Sequence, residues 1–329
     1  MPVQINGATS GSATLQATDA ATVTLTLPAT SGTLSVSGGS PSFATLTVTG
    51  DASISGLTVG KGGGTVATNT AVGVSALGSN TTGTENTAIG GNALRVEIDN
   101  FRNTALGYAS LYNANASDNT AIGARTLLSN TSGGNNTAVG SYALNANTTA
   151  SYNTAVGYQA GYSTTGGYNT ALGGVALKAN TSGVNNVALG AYALFSNTTA
   201  NSNTAIGLSA MESNTTGASN VSVGTEALKF NTTASNNTAV GYQAGYSNTT
   251  GDSNTAVGNV SQYTNTTGTN NTSIGRGSLF YNTTGSYNTG LGKEALANNT
   301  TASRHTAVGY QAGYSVSDRK STRLNSSHT

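Results

Sequence analysis

From residue 69 onward, short apolar clusters and polar stretches alternate along the chain at one fixed interval. Units begin at Asn69, Asn86, Asn103, Asn119, Asn136, Asn153, Asn169, Asn186, Asn203, Asn220, Asn237, Asn254, Asn271, Asn288 and His305. Twelve of the fourteen spacings are 17 residues and the other two are 16. The shared pattern reads Asn-Thr-Ala-Val-Gly-x-x-Ala-Leu-x-x-Asn-Thr-Thr-Gly-x-x. Its fourth position is Val, Ile or Leu in all fifteen units, and its fifth is always Gly. So strict a period means one structural coil per unit, stacked so that neighbours bury what one unit cannot bury alone.

Within a coil, Thr-Ala-Val reads as a short extended segment, with the fourth-position Val, Ile or Leu expected to face a common interior. Gly at position five lets the chain turn. A second short strand is expected around positions eight and nine, as in Ala143-Leu144, Ala176-Leu177 and Ala295-Leu296. Asn-Thr-Thr-Gly then closes the coil, Asn tolerating left-handed backbone and Gly permitting positive φ. A 17-residue unit with two Gly and a β-branched majority cannot form a helical hairpin. The expected fold is therefore all-β: a parallel β-solenoid, or β-roll, of about fifteen coils. At about 4.8 Å per strand it makes a rod on the order of 70 Å long.

Residues 1–65 lack this period but alternate apolar and polar positions, as in Thr22-Val23-Thr24-Leu25-Thr26-Leu27 and Thr45-Leu46-Thr47-Val48. Such alternation predicts half-buried strands, so we expect a small β-rich attachment or shaft segment. Gly62-Gly63-Gly64 reads as a hinge into the repeat domain, which spans 66–315. Residues 316–329 break the repeat.

The coil core is thin, with roughly two large apolar side chains each and small Ala residues between them. Three parallel chains around one axis would add burial and protect strand edges, so we expect a homotrimer; a dimer satisfies the same reasoning.

Composition changes the picture by exclusion. Only 7% of residues are charged, and there is no Cys or Trp, which removes disulfides and thiolate chemistry. The net charge of +1 falls to −1 once Asp318, Arg319, Lys320 and Arg323 of the tail are set aside. No basic stripe points to nucleic acid, and no apolar run points to membrane insertion or a secretion signal.

The units resemble those of the head domains of trimeric autotransporter adhesins, through Asn86-Thr87-Ala88-Ile89-Gly90 and Asn203-Thr204-Ala205-Ile206-Gly207. The resemblance spans 69–315 and implies a left-handed parallel β-roll packed as a trimer. The opening residues Gly7 to Gln16, Thr24-Leu25-Thr26-Leu27-Pro28 and Leu57-Thr58-Val59-Gly60-Lys61 resemble tail-fibre-like proteins of marine phages. So does Asn-Thr-Ala-Val-Gly-Tyr-Gln-Ala-Gly-Tyr, which starts at Asn153 and Asn237 and recurs with His305 in place of Asn. Ser317-Asp318-Arg319 resembles the opening of the chaperone domain that often follows such fibres. Lys320 to Thr329 is similar to translated sequencing-adapter sequence and is expected not to be native.

Candidate chemistry is sparse, and no catalytic, cofactor-binding or metal-binding residue is assigned. A tail-spike glycosidase would need two carboxylates within roughly 5–10 Å. Glu226 and Glu294 share position seven but lie four coils apart, and Glu212 and Glu226 are nearer yet still distant. His305 is isolated, and no calcium-binding repeat occurs. The position-one Asn row is expected to form a hydrogen-bonded ladder rather than a ligand site. The Asn-Thr-Thr triplets at Asn147, Asn197, Asn214 and Asn299 match a glycosylation sequon but read as turns. Tyr158, Tyr162, Tyr242, Tyr246, Tyr310 and Tyr314 could stack on sugars but are expected to fill space where Leu at position nine becomes Gly. Thirteen of fifteen units carry Thr at position two, and an exposed row of them would suit an ice-binding surface.

The expected function is that of a non-enzymatic structural fibre, a phage tail-fibre component located in the virion. Its expected partners are its own copies, other virion tail proteins, and a host cell-surface glycan or protein receptor. A bacterial trimeric adhesin head at the cell surface is the alternative, and an ice-binding solenoid a minor one.

Overall fold

The computed structural model describes residues 52–54, 57–64, 66–96, 98–315 and 322–324. The strands expected around residues 22–27 and 45–48 lie outside the described residues. Strands β1 (Ala52–Ile54) and β2 (Leu57–Gly60) pair antiparallel, and β2 continues antiparallel onto β3 (Thr70–Val72). From β3 to β17 (Thr306–Val308), fifteen three-residue strands stack parallel and in register, each pairing with its counterpart one coil on. A last strand, β18 (Thr322–Leu324), extends this parallel ladder beyond the recognisable repeats, with Thr306 opposite Thr322. The chain is thus a parallel β-solenoid with turns of about 17 residues, as the period requires.

The interior differs from the expected one at two points. A three-residue strand places its middle side chain on one face and its outer two on the other. The inward residue is position three: Ala88, Ala121, Ala188 and Ala205 are fully buried. The fourth-position residue therefore faces outward, and Leu189, its exposure 39%, is typical. Ala fits inside because this wall lies close to the opposite one, which Ala at position eight and Leu at position nine supply. Ala193 and Leu194 are both completely buried, and a buried Leu of this kind contributes about 1.5–3 kcal/mol.

The second difference is that positions eight and nine form no strand, although both are interior. The backbone around them enters the left-handed region twice per coil, at positions seven and nine, and once more at the last residue. In the coil from Asn136 these are Tyr142 (φ 61°), Leu144 (φ 48°) and Tyr152 (φ 62°). Non-Gly residues pay about 1–2 kcal/mol for that conformation. What offsets it is bonding between coils: Leu144 N–H donates to Ala160 O at 3.0 Å and Ala146 N–H to Tyr162 O at 2.9 Å. Every side of the coil, not only the strand, is laddered to its neighbour.

Two glycine positions need their glycines for different reasons. At position five the backbone is left-handed, as at Gly173 (φ +135°), and an added Cβ would lie 2.6 Å from the Gly190 carbonyl carbon. At position fifteen φ is not positive, contrary to the expected turn; there the obstacle is space. A Cβ on Gly217 would run into the backbone carbonyl oxygen of Ala234 in the next coil, and would lie 2.7 Å from Asn214 Oδ1.

The Gly62-Gly63-Gly64 stretch is packed against the first coil rather than forming a free hinge. Gly63 N–H donates to Leu77 O at 2.8 Å, and a Cβ on Gly63 would lie 2.8 Å from Asn80 O. It thereby covers the first interior leucine, Leu77. Further along, the apolar core is interrupted by Ser261, Gln262, Ser273 and Ser278, all buried. Ser273 Oγ donates to Ser278 O at 2.8 Å and Gln262 Nε2 to Asn254 Oδ1 at 3.1 Å, while Gln262 Oε1 is buried without a partner.

Candidate functional site

The strand side of the solenoid is the surface that the repeat makes continuous. On it, positions two and four of every coil point outward, so a row of Thr runs beside a row of Val, Ile and Leu. Thr137, Thr154 and Thr170 are exposed, as are Val187 and Val221, which replace Thr in two coils. In the second row Ile89, Leu106, Leu172, Leu189, Val240, Ile274 and Leu291 are all exposed. Parallel in-register pairing repeats each pair at about 4.8 Å. The result is a partly exposed apolar stripe that continues from coil to coil, and contiguous apolar surface of this kind marks interaction sites.

Behind this surface lie two asparagine ladders. In the expected one, at position one, Asn203 N–H donates to Asn186 Oδ1 at 3.0 Å while Asn203 Nδ2 donates to Gly217 O at 2.9 Å. The second, at position twelve, runs unbroken from Asn180 to Asn299. There Asn214 Nδ2 donates to Asn197 Oδ1 at 3.0 Å and to the same Gly217 O at 2.9 Å. In this coil, and in those closing on Gly133, Ala150 and Ala234, one carbonyl thus receives two amide donors, which matches its two lone pairs. The position-twelve ladder was not anticipated, because Asn-Thr-Thr-Gly looks like a turn; its signal was the recurrence of Asn in eleven of the fifteen units, in a stretch where Ser or Asp would turn equally well.

That placement decides several candidate residues. Asn147, Asn197, Asn214 and Asn299 are completely buried, so these sequons present no accessible amide. His305 is buried and takes its predecessors' place in the position-one ladder, its N–H donating to Asn288 Oδ1 at 3.0 Å. Among the described residues no group of three or more His, Asp or Glu is placed to hold a metal, and no helix is long and apolar enough to cross a membrane.

Glu212 and Glu226 are brought together by Lys229, whose Nζ lies 2.7 Å from Glu226 Oε1 and 3.8 Å from Glu212 Oε2. Gln243 Nε2 also donates to Glu226 Oε2 at 2.7 Å. These hydrogen bonds from Lys229 and then Gln243 hold the Glu226 carboxyl below its ordinary range. A general acid requires the opposite displacement. Glu294 stays with Lys293 and Gln311, far from this group.

The tyrosines expected to fill the Gly-for-Leu positions instead lie outside. Tyr158, Tyr242 and Tyr310 are about half exposed, and Tyr162 and Tyr246 are partly so. The space over Gly245 is taken by the preceding coil's Leu228, whose Cδ2 lies 3.0 Å from where a Cβ would sit. Outside, the rings form their own contacts: Tyr246, Tyr263 and Phe280 stack at centroid distances of 5.0 and 5.2 Å.

No family model, curated protein or solved structure matches the chain. Its functional reading therefore rests on the surface just described.

Proposed function

We propose that the protein is a structural fibre whose strand face is covered by further copies of itself, most simply as a homotrimer. The observation that supports this is the outward row of Val, Ile and Leu at position four. A monomer would leave that row in water along the whole repeat, whereas three chains around one axis cover it with one kind of contact repeated coil by coil. The rod would be a phage tail-fibre component in the virion that joins other tail proteins and presents binding to a host-surface glycan or protein. Its repeats and opening residues resemble those of such fibres, and many weak contacts along a rod add through multivalency. A bacterial adhesin head at the cell surface is built on the same assembly.

The exposed Thr row favours one second reading. Thirteen Thr side chains on coils about 4.8 Å apart, interrupted at Val187 and Val221, form a hydroxyl and methyl array of the kind an ice surface would accept. The two readings make opposite demands on the same face, since assembly buries it and ice binding needs it bare. Light scattering with small-angle scattering on the full chain separates them. A particle of three chains supports the fibre. A monomer that produces thermal hysteresis in freezing solution replaces it with the ice-binding reading.

A further inference from the structure

Position ten forms a column on the outside of the solenoid, and its last five rungs are Tyr246, Tyr263, Phe280, Ala297 and Tyr314. The first three rings stack nearly parallel, at interplanar angles of 3° and 9°. Phe230 meets one end of the stack edge-on at 5.0 Å, and Tyr281 stands edge-on to Phe280 at 4.6 Å. The fourth rung is the exception. Tyr281 N–H donates to Ala297 O and Asn298 N–H to Tyr314 O, which fixes Ala297 and Tyr314 as the next two rungs. Ala297 supplies no ring, so Phe280 and Tyr314 are separated by two coil spacings, roughly 9–10 Å.

A second truncation coincides with the first. Position seven carries Gln243, Val260, Gly277, Glu294 and Gln311 in successive coils, and at Gly277 the side chain is missing. A Cβ there would meet only Glu294 Cγ, at 3.6 Å. Together the two absences open a cleft of about 200 Å³ lined by Phe280, Tyr281, Tyr314, Ala297, Arg276 and Glu294. That is below the roughly 300 Å³ at the lower end of drug-sized sites and suits a single ring. Ala297 itself is buried, so a ring in the cleft rests against its aromatic sides, and contacts with Phe280 and Tyr314 would form at centroid distances of about 4.5–7 Å.

The edge of the cleft is polar and carries charge of both signs. Glu294 is held in place by Gln311 Nε2, which donates to Oε2 at 2.8 Å, and its Oε1 lies 3.7 Å from Lys293 Nζ. The Gln311 hydrogen bond in particular keeps this carboxyl below its ordinary range, so it is an ionised acceptor at neutral pH. Arg276 contributes donors from the other side. An aromatic hydrocarbon ring would use the stacking walls and leave these groups idle. A pyranose presents C–H faces to the rings and hydroxyls at its edge to both charges.

We infer that this cleft binds one pyranose unit of a neutral glycan, stacked against Phe280 and Tyr314, with Arg276 and Glu294 taking its hydroxyls. The inference deepens the fibre reading by giving the rod a glycan-contacting site, yet it depends on one chain's geometry only. An open single-ring site binds weakly, with a dissociation constant on the order of 1–10 mM, and gains strength by repetition in an assembly.

The test is saturation-transfer NMR on the full chain with methyl α-glucopyranoside, methyl α-galactopyranoside, methyl α-mannopyranoside and methyl N-acetylglucosaminide, with phenol as the planar-ring probe. Ala297→Tyr restores the missing rung and Gly277→Gln the missing position-seven side chain. Both copy what adjacent coils already hold, and unchanged circular dichroism checks the fold. The expected result is transfer to at least one pyranoside, reduced about 10-fold or more by Ala297→Tyr. Transfer to none of them, equal transfer in Ala297→Tyr, or transfer to phenol alone would overturn the assignment. Solution mass is measured on the same samples. A three-chain particle without sugar transfer removes the cleft proposal alone, and a one-chain particle with transfer removes the assembly alone.

Discussion

The inner and outer faces of the same strand obey opposite rules. Inside, the residue is Ala, completely buried at Ala188, and the space is so narrow that the opposite wall needs Leu to complete it. Outside, one position later, the residue is always Val, Ile or Leu, and it is half-buried or exposed in every coil. A solenoid coil with so thin an interior cannot accept a second large apolar row opposite the buried Leu of position nine, so the strand's larger side chain faces outward. Burial within the chain and burial between chains are thereby assigned to adjacent positions of one three-residue strand.

This contrast can be broken most strongly from within. Gly173→Ala places a Cβ 2.6 Å from the Gly190 carbonyl carbon at a φ of +135°. Its expected cost is about 3 kcal/mol or more, seen as a lowered denaturation midpoint and lost hydrogen-exchange protection in the coils around it. Ala188→Leu overpacks the inner row and should cost about 1–3 kcal/mol, whereas Leu189→Ala next to it on the outer face should move the stability of an isolated chain by less than about 1 kcal/mol. Equal costs at these two neighbours would contradict the assignment of faces.

Asn214→Ala probes what closes the coil. It removes one of the two donors to Gly217 O and leaves Asn197 Oδ1 and Asn231 Nδ2 short of a partner, for an expected loss of about 1–3 kcal/mol. Substituting half-buried Thr198, which also bonds along the stack, should cost less.

The smallest expected effect is electrostatic. The folded-state pKa of Glu226 is depressed, so its contribution is present above the unfolded value and is lost as pH falls through the folded one. Stability should therefore decline slightly below about pH 4, by no more than the roughly 0.2–1 kcal/mol of partly exposed pairs. Glu226→Gln should flatten that decline in a pH series of denaturation midpoints.

Much of the coil was legible in the sequence because the period is strict. One coil per unit, the Gly at position five, the interior Ala and Leu at positions eight and nine, and the Asn ladder at position one follow from spacing and residue type. The inward face of the strand was not legible: Ala at position three and Val at position four are both apolar, and size alone favours burying Val. Only the closeness of the walls reverses that. The missing second strand had no signal either, since Leu is a poor left-handed residue and Leu144 at φ 48° is held there by bonds to the next coil. Ala297 and Gly277 were invisible as a site because each looks like an ordinary small residue until the column and the neighbouring coils are seen together.

The central claim is that position four is where copies of the chain meet. The protein has no cysteine, so Leu189→Cys introduces a single thiol at the middle of the outer row. Its rate of modification by a water-soluble maleimide in the native particle, and its capacity for interchain disulfide under mild oxidation, read the face directly. Slow modification together with disulfide-linked chains is the predicted result. Modification as fast as in the denatured chain, with no interchain disulfide, would contradict it.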